Sequence, residues 1–176
     1  MKKIIISFAL ALATMTCFAQ TEQKATVWGV KSDGITDNTG SIQKAINFIS
    51  EHGGGTLSIY VGRYVTGSIE LKDNVTLHLG EGCVLVAPVN YYAYKGAPAL
   101  IWAKDGKNIA ITGKGVIERR VKGLEASVKD QEAKGFLPAG TVIPEVFSFD
   151  NCTNATVGEE IKVINDTAAS TRYNRQ

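Results

Sequence analysis

The chain has few of the residues that build disulfide frameworks and metal sites. Its 176 residues include 3 Cys and 2 His. If Cys17 leaves with an N-terminal segment, Cys83 and Cys152 remain. Their apolar settings favour a role as small core residues, and a disulfide bond between them is the alternative in an oxidising compartment. His52 and His78 are each isolated, and one His without a partner makes no metal site. We predict no metal and no cofactor.

Long apolar runs are also scarce, and the one that stands out lies at the N-terminus. Lys2 and Lys3 precede an apolar core from Ile4 to Met15, and Cys17, Phe18 and Ala19 follow it. This order is typical of a secretory signal peptide over 1–19, and its core is too short to span a bilayer. We therefore expect an exported protein, periplasmic or extracellular, with no membrane span and with 20–176 as one domain.

An excess of charge of either sign is missing as well. The 19 Lys and Arg residues, of which Lys2 and Lys3 lie in the signal, stand against 17 Asp and Glu residues. A balanced exported chain gives no reason to expect nucleic acid as a partner.

What the sequence does have is an internal repeat. The segments 67–87, 99–117 and 145–165 each read as short strands separated by polar corners. Asn74, Asn108 and Asn154 hold the same place in each copy, just before an alternating strand. Repetition of such a unit predicts a stacked solenoid. Asn tolerates the left-handed corner conformation, and its amide can pair with the next coil.

A helix is predicted before the first copy. Ile42, Ala45, Ile46 and Ile49 form one apolar stripe, Asp37 or Asn38 is placed to cap its start, and the glycines at 53–55 end it. A strand over 57–61 and a tight turn over 62–64 should follow. An amphipathic helix in this place can cover the first, otherwise unpaired, coil.

The segment 96–140 interrupts the repeat and contains helical spacing at Val121, Leu124 and Val128. Such an excursion can wall a binding groove. Arg119, Arg120 and Lys122 could meet a carboxylated sugar there, or form a solvated helix face balanced by nearby acids. Aromatic side chains that could stack on sugar rings are Tyr91, Tyr92, Tyr94 and Trp102, with core packing an equal alternative for Trp102.

The motifs around this helix carry a family resemblance. The segment 29–39 (GVKSDGITDNT), the helix start IQKAI at 42–46, GGGT at 53–56 and GRY at 62–64 resemble the N-terminal signature of the pectate lyase superfamily. The chain is most similar to the polygalacturonase-type glycoside hydrolases of family 28. The resemblance implies an all-β fold, a right-handed parallel β-helix with an N-terminal capping helix, which binds acidic plant-type polysaccharide in a groove.

The resemblance stops before the family's chemistry. The family's ordered series of an Asn-x-Asp motif, an Asp-Asp pair, a Gly-His-Gly and then an Arg-x-Lys is not found in the sequence, and Glu118-Arg119-Arg120 stands where relatives have an Asp-Gly-rich turn. Asp73, Asp105 and Asp150 precede the repeated corners, where turn structure is a better interpretation than catalysis. We assign no catalytic residue, and only Arg119, Arg120 and Trp102 as candidates for substrate binding.

Three hypotheses about function follow. The chain is the C-terminally truncated front part of a pectic polysaccharide hydrolase, inactive alone; or it is a noncatalytic carbohydrate-binding module; or its coding sequence is interrupted. In each case the last coil is expected to lack a polar cap, which predicts self-association through that end.

Overall fold

The computed structural model describes residues 21–165, and the predicted signal segment 1–19 and the segment 166–176 lie outside the described residues. All strand pairs are parallel, and the strands stack into three sheets. Sheet A holds β1 (Thr21–Lys24), β3 (Gly55–Ile59), β6 (Val75–Leu79), β9 (Lys107–Gly113) and β12 (Thr153–Val157). Sheet B holds β2 (Asp33–Asp37), β4 (Gly62–Val65), β7 (Cys83–Val86), β10 (Val116–Arg119) and β13 (Lys162–Asn165). Sheet C holds β5 (Ile69–Glu70), β8 (Ala99–Lys104) and β11 (Glu145–Asp150).

The chain visits the sheets in the repeating order C, A, B, which confirms the predicted parallel β-helix. In sheet A, Leu77 of β6 pairs with Leu57 on one side and Ile111 on the other. These three side chains are buried, and they form part of one continuous core inside the coils. Alternation places the residues between them on the outer face.

The repeated asparagines form the corners that the sequence predicts. Asn74, Asn108 and Asn154 have φ angles of 60°, 53° and 57°. The Asn108 amide donates to the Asn74 side-chain oxygen at 2.9 Å. The Asn154 amide donates to Asn108 at 2.9 Å in the same way. One ladder of amides therefore runs along the corners of three successive coils.

Helix α1 (Thr39–Glu51) covers the first coil, as predicted. Asp37 accepts a hydrogen bond from the Thr39 amide at 2.9 Å, whereas the Asn38 side chain binds the Lys31 backbone. Ile42, Ala45, Ile46 and Ile49 are buried. Full burial of an aliphatic side chain contributes about 1.5–3 kcal/mol, so this stripe outweighs the cap in holding the helix.

Helix α1 lies in the place that a strand of sheet C occupies in later coils. It follows β2 of sheet B and precedes β3 of sheet A along the chain. The Gln43 side chain donates to the Glu70 carbonyl at 2.9 Å and accepts from the Glu70 amide at 2.8 Å. The free edge of β5 is therefore paired by a helix side chain, which is one way of protecting a sheet edge.

Two local predictions were wrong. The predicted turn at 62–64 is strand β4, and the corner precedes it, with Tyr60 42% exposed and Val61 73% exposed. The cause is Tyr64, whose ring is buried in the core and draws the segment into the coil. Strand β2 was not predicted, because its Asp33–Gly34 turn, with Gly34 at φ 72°, interrupts its register.

The interruption of the solenoid repeat, predicted over 96–140, consists of two shorter segments. Loop 87–98 joins β7 to β8 and contains a 3-10 turn, Tyr91–Tyr94. Excursion 120–144 joins β10 to β11 and contains helix α2 (Val121–Ala133). The predicted stripe of Val121, Leu124 and Val128 is buried. The segment between the two, 99–119, is regular solenoid.

The two cysteines of the described chain are free. Cys83 is fully buried in the core, as predicted, and Cys152 is partly buried against it. Burial raises the pKa of the Cys83 thiol from its ordinary value of 9.0 to about 12.

Candidate functional site

A cavity of about 540 Å³ opens over the outer face of sheet C. Its floor is formed by β5 and β8, one wall by α1, and the other wall by the end of loop 87–98. Pockets that bind small ligands commonly have about 300–1,000 Å³. The lining residues are Thr39, Gly40, Gln43, Lys44, Asn47, Ser68, Glu70, Tyr94, Lys95, Gly96, Ala97, Pro98 and Trp102.

Trp102 forms part of the floor. Its neighbours in β8, Ile101 and Ala103, are buried in the core, so alternation turns the indole to the outer face, where it is partly buried. Trp102 pairs in register with Glu70 of β5 and Ser148 of β11. Of its two predicted roles, packing inside the coil is therefore wrong, and stacking on a sugar ring stays a prediction.

The α1 wall is held in place by side-chain amides. Besides pairing with Glu70, the Gln43 amide donates to the Asn47 side-chain oxygen at 3.0 Å. Thr39, at the first turn of the helix, accepts a hydrogen bond from the Gly67 amide at 2.6 Å. These bonds fix the polar face of α1 against the start of sheet C.

Tyr94 anchors the opposite wall. Its ring is 2% exposed, and its hydroxyl donates to the Pro88 carbonyl at 3.4 Å. Burial raises the pKa of the Tyr94 hydroxyl, and the guanidinium groups of Arg119 and Arg120 oppose that shift. The 3-10 turn that ends at Tyr94 is capped by Asn90, whose side chain accepts from the Tyr92 amide at 3.0 Å. Of the three tyrosines singled out in the sequence, Tyr94 lines the cavity and the pair Tyr91–Tyr92 does not.

The rim of the cavity carries more positive than negative charge. Lys44 and Lys95 are exposed at the two walls, and neither forms an ion pair within the described part of the chain. Glu70 is the one carboxylate of the lining, and Lys72 neutralises it at 2.7 Å. The cavity therefore combines an aromatic floor, amide and hydroxyl groups, and two cations.

The predicted arginines lie behind the cavity wall. Arg119 donates to the Pro144 carbonyl at 2.6 Å, and Arg120 donates to the Ala87 carbonyl at 2.9 Å. Neither is among the residues that line the cavity with Trp102. Direct contact of either arginine with a sugar stays a prediction.

The three corner aspartates lie away from the cavity. Asp73 accepts from the Lys107 amide at 2.8 Å, and Asp105 accepts from the Asn151 side chain at 2.6 Å. The Asp150 carbonyl accepts from the Asp105 amide at 2.9 Å. The turn interpretation is confirmed for Asp73 and Asp105, whose side chains brace corners between adjacent coils.

No group of three His, Cys, Asp or Glu side chains within residues 21–165 comes together in a way that could hold a metal ion. No helix in this range is long and apolar enough to cross a membrane.

Sequence reasoning missed most residues of the cavity lining, including Gln43, Lys44, Asn47 and Lys95. Gln43, Lys44 and Asn47 lie on the polar face of α1, and Lys95 ends the 3-10 turn with a φ of 52°. The sequence pattern gave little indication of these residues, because the exposed face of an amphipathic capping helix is ordinarily polar. Only the stacking of α1 beside β5 and β8 makes that face part of a site.

No family model matches the chain. Among curated proteins it is similar to the exo-poly-α-D-galacturonosidase of Dickeya chrysanthemi, with 32% identity over 146 residues. That alignment covers 72% of this chain and 23% of the relative, so the chain spans about a quarter of the relative's length.

Two solved structures are similar to the fold described above. A Parabacteroides merdae protein assigned to the glycosyl hydrolases superposes with a TM-score of 0.78 at 44% identity, covering 81% of this chain and 64% of that one. The family 28 exopolygalacturonase of Yersinia enterocolitica superposes with a TM-score of 0.69 at 22% identity, covering 82% of this chain and 35% of the other. The second likeness concerns the fold alone.

Proposed function

Because the chain is related to the polygalacturonase-type glycoside hydrolases (family 28) of the pectate lyase superfamily, we propose that it binds pectic polysaccharide on the outer face of sheet C. The observation that carries this proposal is the cavity around Trp102. An aromatic floor ringed by amides and hydroxyls suits a sugar ring, and Lys44 and Lys95 suit its carboxylate. The name of the Dickeya relative supports galacturonate as the sugar.

We propose further that these coils bind polysaccharide without hydrolysing it. Inverting hydrolysis requires two carboxyl groups about 6.5–9.5 Å apart, and retaining hydrolysis requires two at about 5–5.5 Å. Glu70 is the single carboxylate of the cavity lining, and it is paired with Lys72. In this proposal 20–176 is the front part of one β-helix, exported by means of 1–19, and other coils would supply the chemistry. A noncatalytic binding module is the alternative supported by the same observation.

The first experiment separates binding from turnover. The purified chain is incubated with polygalacturonate, and new reducing ends are measured alongside binding of a short oligogalacturonate by tryptophan fluorescence. Binding without new reducing ends is expected. Sustained production of reducing ends would refute the second proposal, and no binding of either ligand would refute the first.

Variants locate the binding site. Trp102→Ala is expected to weaken binding by about tenfold or more, since an aromatic anchor covered by its ligand commonly contributes about 2 kcal/mol. Because this substitution removes the fluorescent side chain of the site, the affinities of the variants are measured by isothermal titration calorimetry. Trp28→Phe is the matched control, because Trp28 packs on Phe48, away from the cavity lining. Unchanged affinity in Trp102→Ala would place the site elsewhere.

Gly40 allows the cavity to be filled without disturbing the fold. A Cβ at Gly40 would meet no heavy atom within 4 Å, and the residue lines the cavity on α1. Gly40→Ala should leave the affinity unchanged, whereas Gly40→Leu should reduce it. Equal affinity in the two variants would count against this cavity as the site.

A further inference from the structure

Arg119, the last residue of β10, and Arg120, which follows it, contact both segments that bound the cavity side of sheet C. The Arg119 Nη2 donates to the carbonyl of Pro144, the last residue of excursion 120–144. The Arg120 Nε donates to the carbonyl of Ala87, the first residue of loop 87–98. Two adjacent side chains thus join the bases of two loops that are far apart in the sequence.

The ends of the same two loops meet beside Arg119. The Glu145 amide donates to the Pro98 carbonyl at 2.8 Å, and the Glu145 carboxylate lies 4.0 Å from the Arg119 Nη1. The Arg119 side chain is 15% exposed, whereas the Arg63 side chain, also in sheet B, is 53% exposed in its ion pair with Glu118. Arg119 is therefore a largely buried connection, and Arg63 is a surface one.

Tyr94 lines the cavity and is also influenced by both arginines of this connection. Both guanidinium groups are close enough to act on its hydroxyl, and its ring lines the cavity wall. A guanidinium presents several donors in a fixed plane, so it can hold carbonyls of different segments in one geometry. Removing it would leave the buried carbonyls of Ala87 and Pro144 without these donors, which favours movement of the segments that carry them.

We propose that Arg119 and Arg120 are positioning residues that hold loop 87–98 and excursion 120–144 together and so fix the cavity wall at Tyr94–Pro98. They act through that wall and need no contact with the ligand. Their effect on affinity rests on the proposed binding of pectic saccharide at Trp102, whereas their effect on the shape of the cavity does not.

The first test needs no ligand. The sequence contains 2 Trp, so in a Trp28→Phe background Trp102 is the single fluorophore of its kind. Acrylamide quenching of Trp102 is compared for the parent, Arg119→Met, Arg120→Met and the control Arg63→Met, well below their melting temperatures. A higher quenching constant is expected for the first two variants and a parental value for Arg63→Met. A purely stabilising role would lower the melting temperature without changing quenching in the folded protein.

The second test measures affinity for trigalacturonate. Mutations that act without touching a ligand commonly change binding by about 0.5–2 kcal/mol, so Arg119→Met and Arg120→Met should weaken it about 2- to 30-fold. Arg119→Lys and Arg120→Lys, which keep the charge but lose the planar fork, should be intermediate. They also replace the Met variants if those do not fold.

Parental quenching and parental affinity in folded variants of both arginines would overturn the proposal. If the parent protein does not bind trigalacturonate, the proposed function fails, and the quenching experiment alone still decides whether the arginines position the wall.

Discussion

The corner ladder gives a prediction whose size can be worked out from the structure. Asn108 is the middle member: it has a φ of 53°, donates to Asn74 and accepts from Asn154. The left-handed conformation costs a residue with a Cβ about 1–2 kcal/mol, a cost that Asn lowers by local hydrogen bonding. Each exposed hydrogen bond contributes about 0.5 kcal/mol, at the low end of its range.

Two substitutions separate these contributions. Asn108→Ala loses both bonds and takes the conformational cost, so the free energy of unfolding should fall by about 2–3 kcal/mol. Asn108→Gly loses the bonds but adopts the corner readily, so the fall should be about 1 kcal/mol smaller. For a chain of this length, about 2–4 °C of melting temperature corresponds to 1 kcal/mol. Asn108→Ala should therefore melt about 4–12 °C below the parent.

Urea unfolding followed by circular dichroism measures both values. Asn74→Ala is the internal comparison, since Asn74 accepts one bond of the ladder from Asn108. Equal destabilisation by Ala and Gly at 108 would show that the left-handed backbone is not the source of the effect. A loss below about 0.5 kcal/mol for Asn108→Ala would refute the ladder's contribution, since changes of that size are typical of ordinary surface substitutions.

Three shorter predictions concern titration and assembly. Burial raises the Cys83 pKa to about 12, so the contribution of this thiol to stability is complete below its ordinary pKa of 9.0 and is lost as the pH rises through the folded value. Thermal scans between pH 8 and 11 should show a decline in melting temperature that is smaller in Cys83→Ala. Iodoacetamide should label Cys152 before Cys83 in peptide maps. Hydrogen bonds from the Thr36 hydroxyl and from the Thr36 and Ile35 amides lower the Asp33 pKa from 3.8 to about 2. The contribution of this carboxylate to stability is complete above its ordinary pKa and is lost as the pH falls through 2, so Asp33→Ala should lose less stability than the parent as the pH is lowered. An equal loss in the variant and the parent would refute this prediction. Within residues 21–165, β11, β12 and β13 each form one edge of a sheet, and all three belong to the last coil described. We expect concentration-dependent association in sedimentation experiments that Thr156→Lys reduces, and a monomer at all concentrations would contradict the prediction.

The parts of the fold that could be predicted are those in which local preference and tertiary packing agree. Val75, Leu77 and Leu79 alternate because every second side chain enters the core, and Asn74 precedes them because the corner requires a left-handed residue. Strand β4 escaped prediction because Gly62-Arg63-Tyr64 has local turn character, and only the buried Tyr64 ring decides for a strand. Strands of four residues give too few alternations to overrule such local character.

The cavity could not be predicted, because its residues are joined only by stacking. Gln43 and Trp102 lie far apart in the sequence, and they share a site because α1 fills the sheet C position beside β5, which pairs with β8. The amide of Gln43 that completes the edge of β5 also fixes the α1 wall. The capping helix therefore protects the sheet edge and closes the cavity with the same side chain. This double role explains how a helix whose sequence indicates only a cap can contribute Lys44 and Asn47 to the lining of the cavity.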